Sequence, residues 1–142
     1  MSRGKRKQNE NVSGNSIAQV LAQALERHEN GYFDEAEKAY HEILSKEPEH
    51  PIALHFLGVL LFQLGNNEEA KALISRALDI APDYADAHYN LGKVHHEMGD
   101  VDKAISSYKA ALKHDASSPE SYTRLGLALE QKGCQEEAVT SY

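Results

Sequence analysis

The sequence predicts an all-α chain, a right-handed superhelical solenoid of antiparallel helix hairpins, and three observations carry that prediction. Residues of one kind return every 34 positions. Between the returns, apolar residues fall at helical spacing. Glycine and proline stand where helices have to stop. Repetition at this length marks an architecture in which each unit buries its apolar face only against its neighbours.

Five independent series hold the period. Leu57 and Gly58 return as Leu91 and Gly92 and as Leu125 and Gly126. Gly31, Gly65, Gly99 and Gly133 form a second series, and Ala36, Ala70, Ala104 and Ala138 a third. Tyr40, Ile74, Tyr108 and Tyr142 supply one large apolar residue per unit, and Pro48 and Pro82 recur with Ala116 in the third place. The period divides the chain into a tail over residues 1–16, units over 17–50, 51–84 and 85–118, and a truncated fourth unit over 119–142.

The first unit is the loosest: Ile17, Val20, Leu21 and Leu25 give residues 17–30 an apolar stripe, but no Leu-Gly pair follows. In the second unit Leu57, Leu61 and Leu64 line one face of a helix over 51–64. Gly58, without a side chain, admits a neighbouring helix. Gly65 tolerates the left-handed backbone needed just past a helix end. Asn66 or Asn67 then caps a second helix with Glu68 and Glu69 in its first turn. Ala70, Ile74, Ala77 and Leu78 continue its stripe, and Pro82 ends it. In the third unit a helix over 85–98 precedes Gly99, Asp100 is the cap, and Ala104, Tyr108, Ala111 and Leu112 mark a helix over 101–114. The fourth opens with Ser118 as cap and Pro119 in the first helical position, where a missing N–H costs nothing. By the period its first helix stops at Gly133, and residue 142 cuts the second helix in its second turn.

These residues and their spacing resemble the tetratricopeptide repeat, over residues 17–142. The family's first aromatic is here Val20, Leu54, His88 and Tyr122, and its tyrosine is Arg27, Leu61, His95 and Leu129, swaps at packing positions. The stretches 53–58 and 83–92 are also similar to N-terminal arrays of O-linked N-acetylglucosamine transferase-like proteins. That resemblance implies an array that selects protein substrates for a following glycosyltransferase. The asparagines lining that family's groove are represented by Asn90, with Ala22, Phe56 and Arg124 in the other slots.

Charge narrows the partners. Arg3, Lys5, Arg6 and Lys7 against Glu10 give residues 1–16 a net +3, so the remainder carries −10 of the chain's −7. An acidic body repels nucleic-acid phosphates, and no nucleic-acid partner is expected. A short polar basic tail is expected to be disordered. No apolar run is long enough to span a bilayer, and none follows the basic start as a secretory signal requires. Cys134 is the one cysteine, which excludes an internal disulfide and points to a reducing, cytoplasmic compartment. Without secretory context, the acceptor pattern Asn11-Val12-Ser13 is a chance match.

No catalytic constellation, cofactor or metal site is expected. There is no Gly-rich phosphate loop or nucleophile elbow, and the 22 carboxylates scatter over helix surfaces. His96 and Glu97 begin like a zinc-protease helix, but Asp100 stands where the second histidine belongs and Gly99 breaks the helix. His88 and His95 fall in packing slots.

Stacked hairpins curl so that first helices line a concave face, where a protein or peptide docks. The residues opposite each core stripe are His55, Phe56, Val59 and Phe62 in the second unit. In the third they are Asp86, Tyr89, Asn90, Lys93, His96 and Glu97, and in the fourth Glu120, Thr123, Arg124, Leu127 and Gln131. The second-unit helix is apolar nearly all round, so Phe56 and Val59 are either buried or form a sticky patch. One subclass of the family grips C-terminal carboxylates with two lysines, an arginine and two asparagines. Asn90 and Arg124 fit two of those slots; His55, Val59 and Glu120 fill the rest, and Glu120 repels a carboxylate. The expected function is therefore a protein-interaction scaffold, or the substrate-recruiting arm of a larger enzyme. Leu125, Leu129, Ala138 and Tyr142 are expected at an uncovered end, which implies either a longer protein or end-to-end self-association.

Overall fold

The computed structural model describes residues 14–140, with side chains described as far as Glu136. Among the described residues seven helices follow one another with no strand between them: α1 (Ile17–Glu29), α2 (Phe33–Lys46), α3 (Pro51–Gln63), α4 (Asn67–Ile80), α5 (Ala85–Glu97), α6 (Val101–His114) and α7 (Pro119–Thr140). The basic tail falls outside the described residues apart from 14–16. Ser16 opens α1 with a capping box, accepting from the Gln19 N–H while the Gln19 side chain accepts from its own.

Three hairpins close by one bond pattern. The N–H groups of Gly31, Gly65 and Gly99 bond the carbonyls of His28, Phe62 and His96. The next N–H reaches five residues back, Tyr32 to Arg27, Asn66 to Leu61 and Asp100 to His95, each at 2.8 Å. This double closure needs a left-handed residue, and the glycines adopt it with φ of 83°, 89° and 81°. Asp100 caps α6 by accepting from the Lys103 N–H, and Ser118 accepts from the Ser121 N–H at the start of α7. Asn66 occupies the cap position of α4 without a side-chain bond.

The fourth unit departs from the sequence reading. α7 runs unbroken through Gly133, where a helix stop was expected, and Gly133 does not take the left-handed conformation. In the earlier hairpins the second helix packs onto the first, which compensates for breaking the ladder. Nothing described lies within 4 Å of a Cβ built on Gly126. Without that packing, continuing the i→i−4 bonds costs less than a turn. The side chains of Ala138 and Tyr142 lie outside the described residues.

Close packing inside the hairpins explains the Leu-Gly pairs. A Cβ on Gly58 would lie 2.6 Å from Ile74 Cγ1, and one on Gly92 2.5 Å from the Tyr108 ring. One apolar core, including Tyr40, Ile43, Leu57, Leu60 and Ile74, runs continuously from α1 to α5. A smaller one, Val101, Ala104, Ile105, Tyr108 and Ala128, lies under α6 and α7. Successive first helices approach closely, α1 with α3, α3 with α5 and α5 with α7, whereas among the described residues the backbones of successive second helices stand farther apart. A stack bends toward the side where its members are closer, so α1, α3, α5 and α7 form the concave wall.

Candidate protein-binding groove

The wall changes character along its length. Its N-terminal part is apolar and carries a cleft of about 470 Å³ between α1 and α3, lined by Leu25, Phe33, Phe56 and Val59 with His28, Glu29 and Gln63 at its edge. Phe56 and Val59 are half-buried and line this open space, so they serve both the core and the surface. Phe62 is likewise half-buried. The Lys93 ammonium sits 5.9 Å from its ring centre and 5.5 Å from that of Tyr89, within cation–π reach of both. Beyond it the wall turns polar. Asp86, Glu97, Glu120, Thr123, Arg124, Leu127 and Gln131 are exposed, and Tyr89, Asn90, Lys93 and His96 half-buried.

His55 does not belong on the surface with the others. It is 1% exposed and joins two first helices from beneath the wall. Its Nε2 accepts from Asn90 Nδ2 at 2.8 Å. The proton of the neutral ring therefore sits on Nδ1, which donates to Tyr84 Oη at 2.8 Å. Burial pushes His55 down to about 4, against a smaller opposing effect of a backbone bond to Asp86. Burial, aided by the Asp86 charge, lifts Tyr84 to about 12. The network is neutral at pH 7 and holds the Asn90 amide in place.

Two more bonds join consecutive first helices at the same spacing of 35: His28 Nε2 to Gln63 Oε1 at 2.6 Å and His96 Nε2 to Gln131 Oε1 at 2.5 Å. His28 and His96 occupy equivalent slots two units apart, as do Gln63 and Gln131. His28 Nδ1 also accepts from Tyr40 Oη at 2.8 Å, tying α1, α2 and α3 together. The sequence reading placed His55 and His96 on the groove surface and His88 and His95 in packing slots, and missed this stitching. The signal was a His-to-amide spacing one residue longer than the period. Leu25, His28 and Phe33 were missed too, because the loose first unit hid that Leu25 aligns with Val59.

The other histidines act locally. His88 Nε2 donates to the Pro82 carbonyl at 2.8 Å, and its ring stacks on His114. Burial lowers His95. Among the described residues no three His, Cys, Asp or Glu side chains gather as a metal site, and no helix is long and apolar enough to cross a membrane.

Comparison with known proteins fits this geometry. No curated protein sequence matches the chain. The crystal structure of MamA is similar over 94% of this chain and 78% of its own, with 28% identity and a TM-score of 0.79. An O-GlcNAc transferase from Thermobaculum terrenum matches 80% of this chain at 34% identity and a TM-score of 0.77, through 22% of its own length. The first repeat domain of Spaghetti (RPAP3), bound to the HSP90 peptide SRMEEVD, shares the fold at 16% identity, over 82% of this chain and 93% of its own, with a TM-score of 0.78. Residues 49–117 match the family profile described as tetratricopeptide repeat. With its 34-residue period, its glycine-closed hairpins and its curved wall of first helices, the chain belongs to the tetratricopeptide-repeat family.

Proposed function

We propose that this chain is a protein-interaction scaffold that holds an extended segment or a helix of a partner protein along the concave wall of α1, α3, α5 and α7. Its repeats divide at residues 51, 85 and 119. The observation that carries this reading is the continuous wall, on which an open apolar cleft lies beside exposed polar side chains. A preformed concavity with a few oriented polar groups is what peptide recognition requires. The peptide-bound repeat domain with the same fold supports the mode of use. The contact residues on this reading are Phe56, Val59, Phe62, Asp86, Tyr89, Asn90, Lys93, His96, Glu97, Glu120, Thr123, Arg124, Leu127 and Gln131, with His55 positioning Asn90 from below. Cys134 as sole cysteine supports a reducing, cytoplasmic compartment.

Affinity capture from native lysate tests the groove, comparing the wild type with a Tyr89→Ala, Asn90→Ala, Lys93→Ala variant. Loss of specific captured proteins is expected; an identical captured set dismisses the groove.

A second reading, the substrate-recruiting arm of a larger glycosyltransferase-like enzyme, is favoured by the 34% identity to an O-GlcNAc transferase. A reading frame continuing past Tyr142 into a catalytic domain would decide for it. Exposure of Tyr122 and Leu129 on α7 supports end-to-end self-association, and a concentration-independent monomer in sedimentation would dismiss that part.

A further inference from the structure

From the pairing of the cleft with the charges around it, we infer that the groove takes a basic segment carrying a bulky apolar anchor, the anchor seated between α1 and α3. This rests on the groove reading and adds the chemistry of the occupant.

The anchor site is preformed. His28 is held from both sides, by Tyr40 Oη and by Gln63 Oε1. Its ring meets Phe33, Tyr40 and Phe56 edge-on, with centroids 5.7, 5.8 and 6.5 Å away. The cleft edge is thus fixed by one bonded cluster spanning α1, α2 and α3. A pocket that needs no rearrangement keeps more of the energy of burying a side chain. Its volume of about 470 Å³ admits one Leu, Met or Phe side chain together with its backbone.

The charge around the cleft is one-sided. Among the described residues lining it, Glu29 is the only Asp, Glu, Lys or Arg. Farther along the wall Asp86, Glu97 and Glu120 are exposed. Among the described residues none of these four carboxylates lies in an ion pair, whereas Glu35, Glu42, Glu68, Asp100 and Asp102 elsewhere each pair with a lysine or arginine. By the repeat, Glu29 and Glu97 fall on one edge of the groove and Asp86 and Glu120 on the other. Of the wall's cations, Arg27 and Lys132 pair with Glu35 and Asp102 of the second helices, Lys93 is drawn over the Phe62 and Tyr89 rings, and Arg124 pairs with no carboxylate among the described residues. Carboxylates along both edges complement lysines and arginines that flank a docked anchor, and the net charge of −7 adds long-range attraction.

Fluorescence anisotropy with three labelled synthetic peptides tests the inference. The first carries a Leu-Phe anchor within a run of lysines and arginines, the second replaces the anchor with serines, and the third replaces the basic residues with glutamates. The first is expected to bind at least about tenfold more tightly than either control, and more weakly as salt is raised. Val59→Glu should remove that advantage, with a thermal melt showing that the fold survives. Glu29→Lys with Glu97→Lys, both at exposed positions, should turn the preference toward the acidic peptide. Equal binding of the anchored acidic or of the anchorless basic peptide overturns the inference, as does indifference to the double reversal or binding of none of the three. If all three bind alike but lose affinity in the Tyr89, Asn90, Lys93 variant, the groove stands and only the chemistry assigned to its occupant falls. If no wall substitution matters, both fall.

Discussion

The first and third hairpins place the same residue types in the same slots and use them differently. In the first, Tyr40 Oη donates to His28, which donates on to Gln63, so three helices are bonded through one ring. In the third, Tyr108 stands where Tyr40 does and His96 where His28 does, and His96 again bonds the glutamine of the next unit. Yet Tyr108 Oη is buried with no partner among the described residues. The residue opposite the tyrosine differs. Ala24 keeps the Tyr40 ring off α1, whereas Gly92 lets the Tyr108 ring drop to where a Cβ would be only 2.5 Å away. The Tyr108 ring fills the space of the missing Cβ, and its hydroxyl makes no bond to His96, whose Nε2 bonds Gln131 instead. Close packing and a closed polar network compete for one side chain, and each hairpin resolves the competition its own way.

The His55 joint between α3 and α5 carries the largest expected effect. Folded His55 holds a proton only below about 4, whereas an unfolded histidine takes one up near 6.5. Between these values acid favours the unfolded chain, so stability is full above pH 6.5 and falls as the pH drops toward 4. The loss is roughly 3 kcal/mol for a ring this buried. Burial lowers His95 as well, which adds in the same direction. Urea melts at pH 7 and pH 4.5 should show the loss, and His55→Leu should flatten most of it. An unchanged slope in that variant would assign the acid sensitivity to other groups.

The Ala24 and Gly92 contrast comes next. Gly92→Ala should destabilise the protein by about 2 kcal/mol, because overpacking against the Tyr108 ring outweighs the helix propensity gained. Ala24→Gly should cost about 1 kcal/mol, since it loses that propensity. Thermal melts of both variants check the pair; a stabilising Gly92→Ala would mean that the ring yields freely.

The turn glycines separate the hairpins from α7 by sign. Gly65 holds φ at 89°, so Gly65→Ala should cost about 1 kcal/mol or more through strain. Gly133 lies inside a continuous helix, so Gly133→Ala should stabilise by up to about 1 kcal/mol. Destabilisation at both positions in denaturant melts would show that Gly133 forms a turn in solution.

How far the sequence could be read follows from what repeats. Helices, turns and close-approach glycines return with the period, because the backbone imposes them in every unit, and they were legible without a structure. The break in that rule at Gly133 was not legible. A local signal for a turn is honoured only when a second helix has something to pack on, and the series of glycines carries no record of that. Within the groove the exposed residues of α5 and α7 followed from helical phase. His55 did not, because its burial depends on Tyr84 and Asn90 arriving from the next unit. The cleft escaped because Leu25 and Phe33 sit in the unit whose register was least marked.

The smallest effect is the most direct test of the comparison between hairpins. Tyr40→Phe removes the donor to His28 Nδ1 and leaves that nitrogen unpaired in a half-buried site, which should cost about 1 kcal/mol. Tyr108→Phe removes a hydroxyl with no partner among the described residues, so it should be neutral or stabilise by a few tenths of a kcal/mol, roughly the cost of burying the group. The same substitution in equivalent slots should therefore carry opposite signs in parallel urea melts. Equal losses would mean that Tyr108 finds a partner in solution. His96 is the nearest equivalent of the histidine that serves Tyr40, and swinging toward Tyr108 would release Gln131, loosening α5 from α7 at the polar end of the groove.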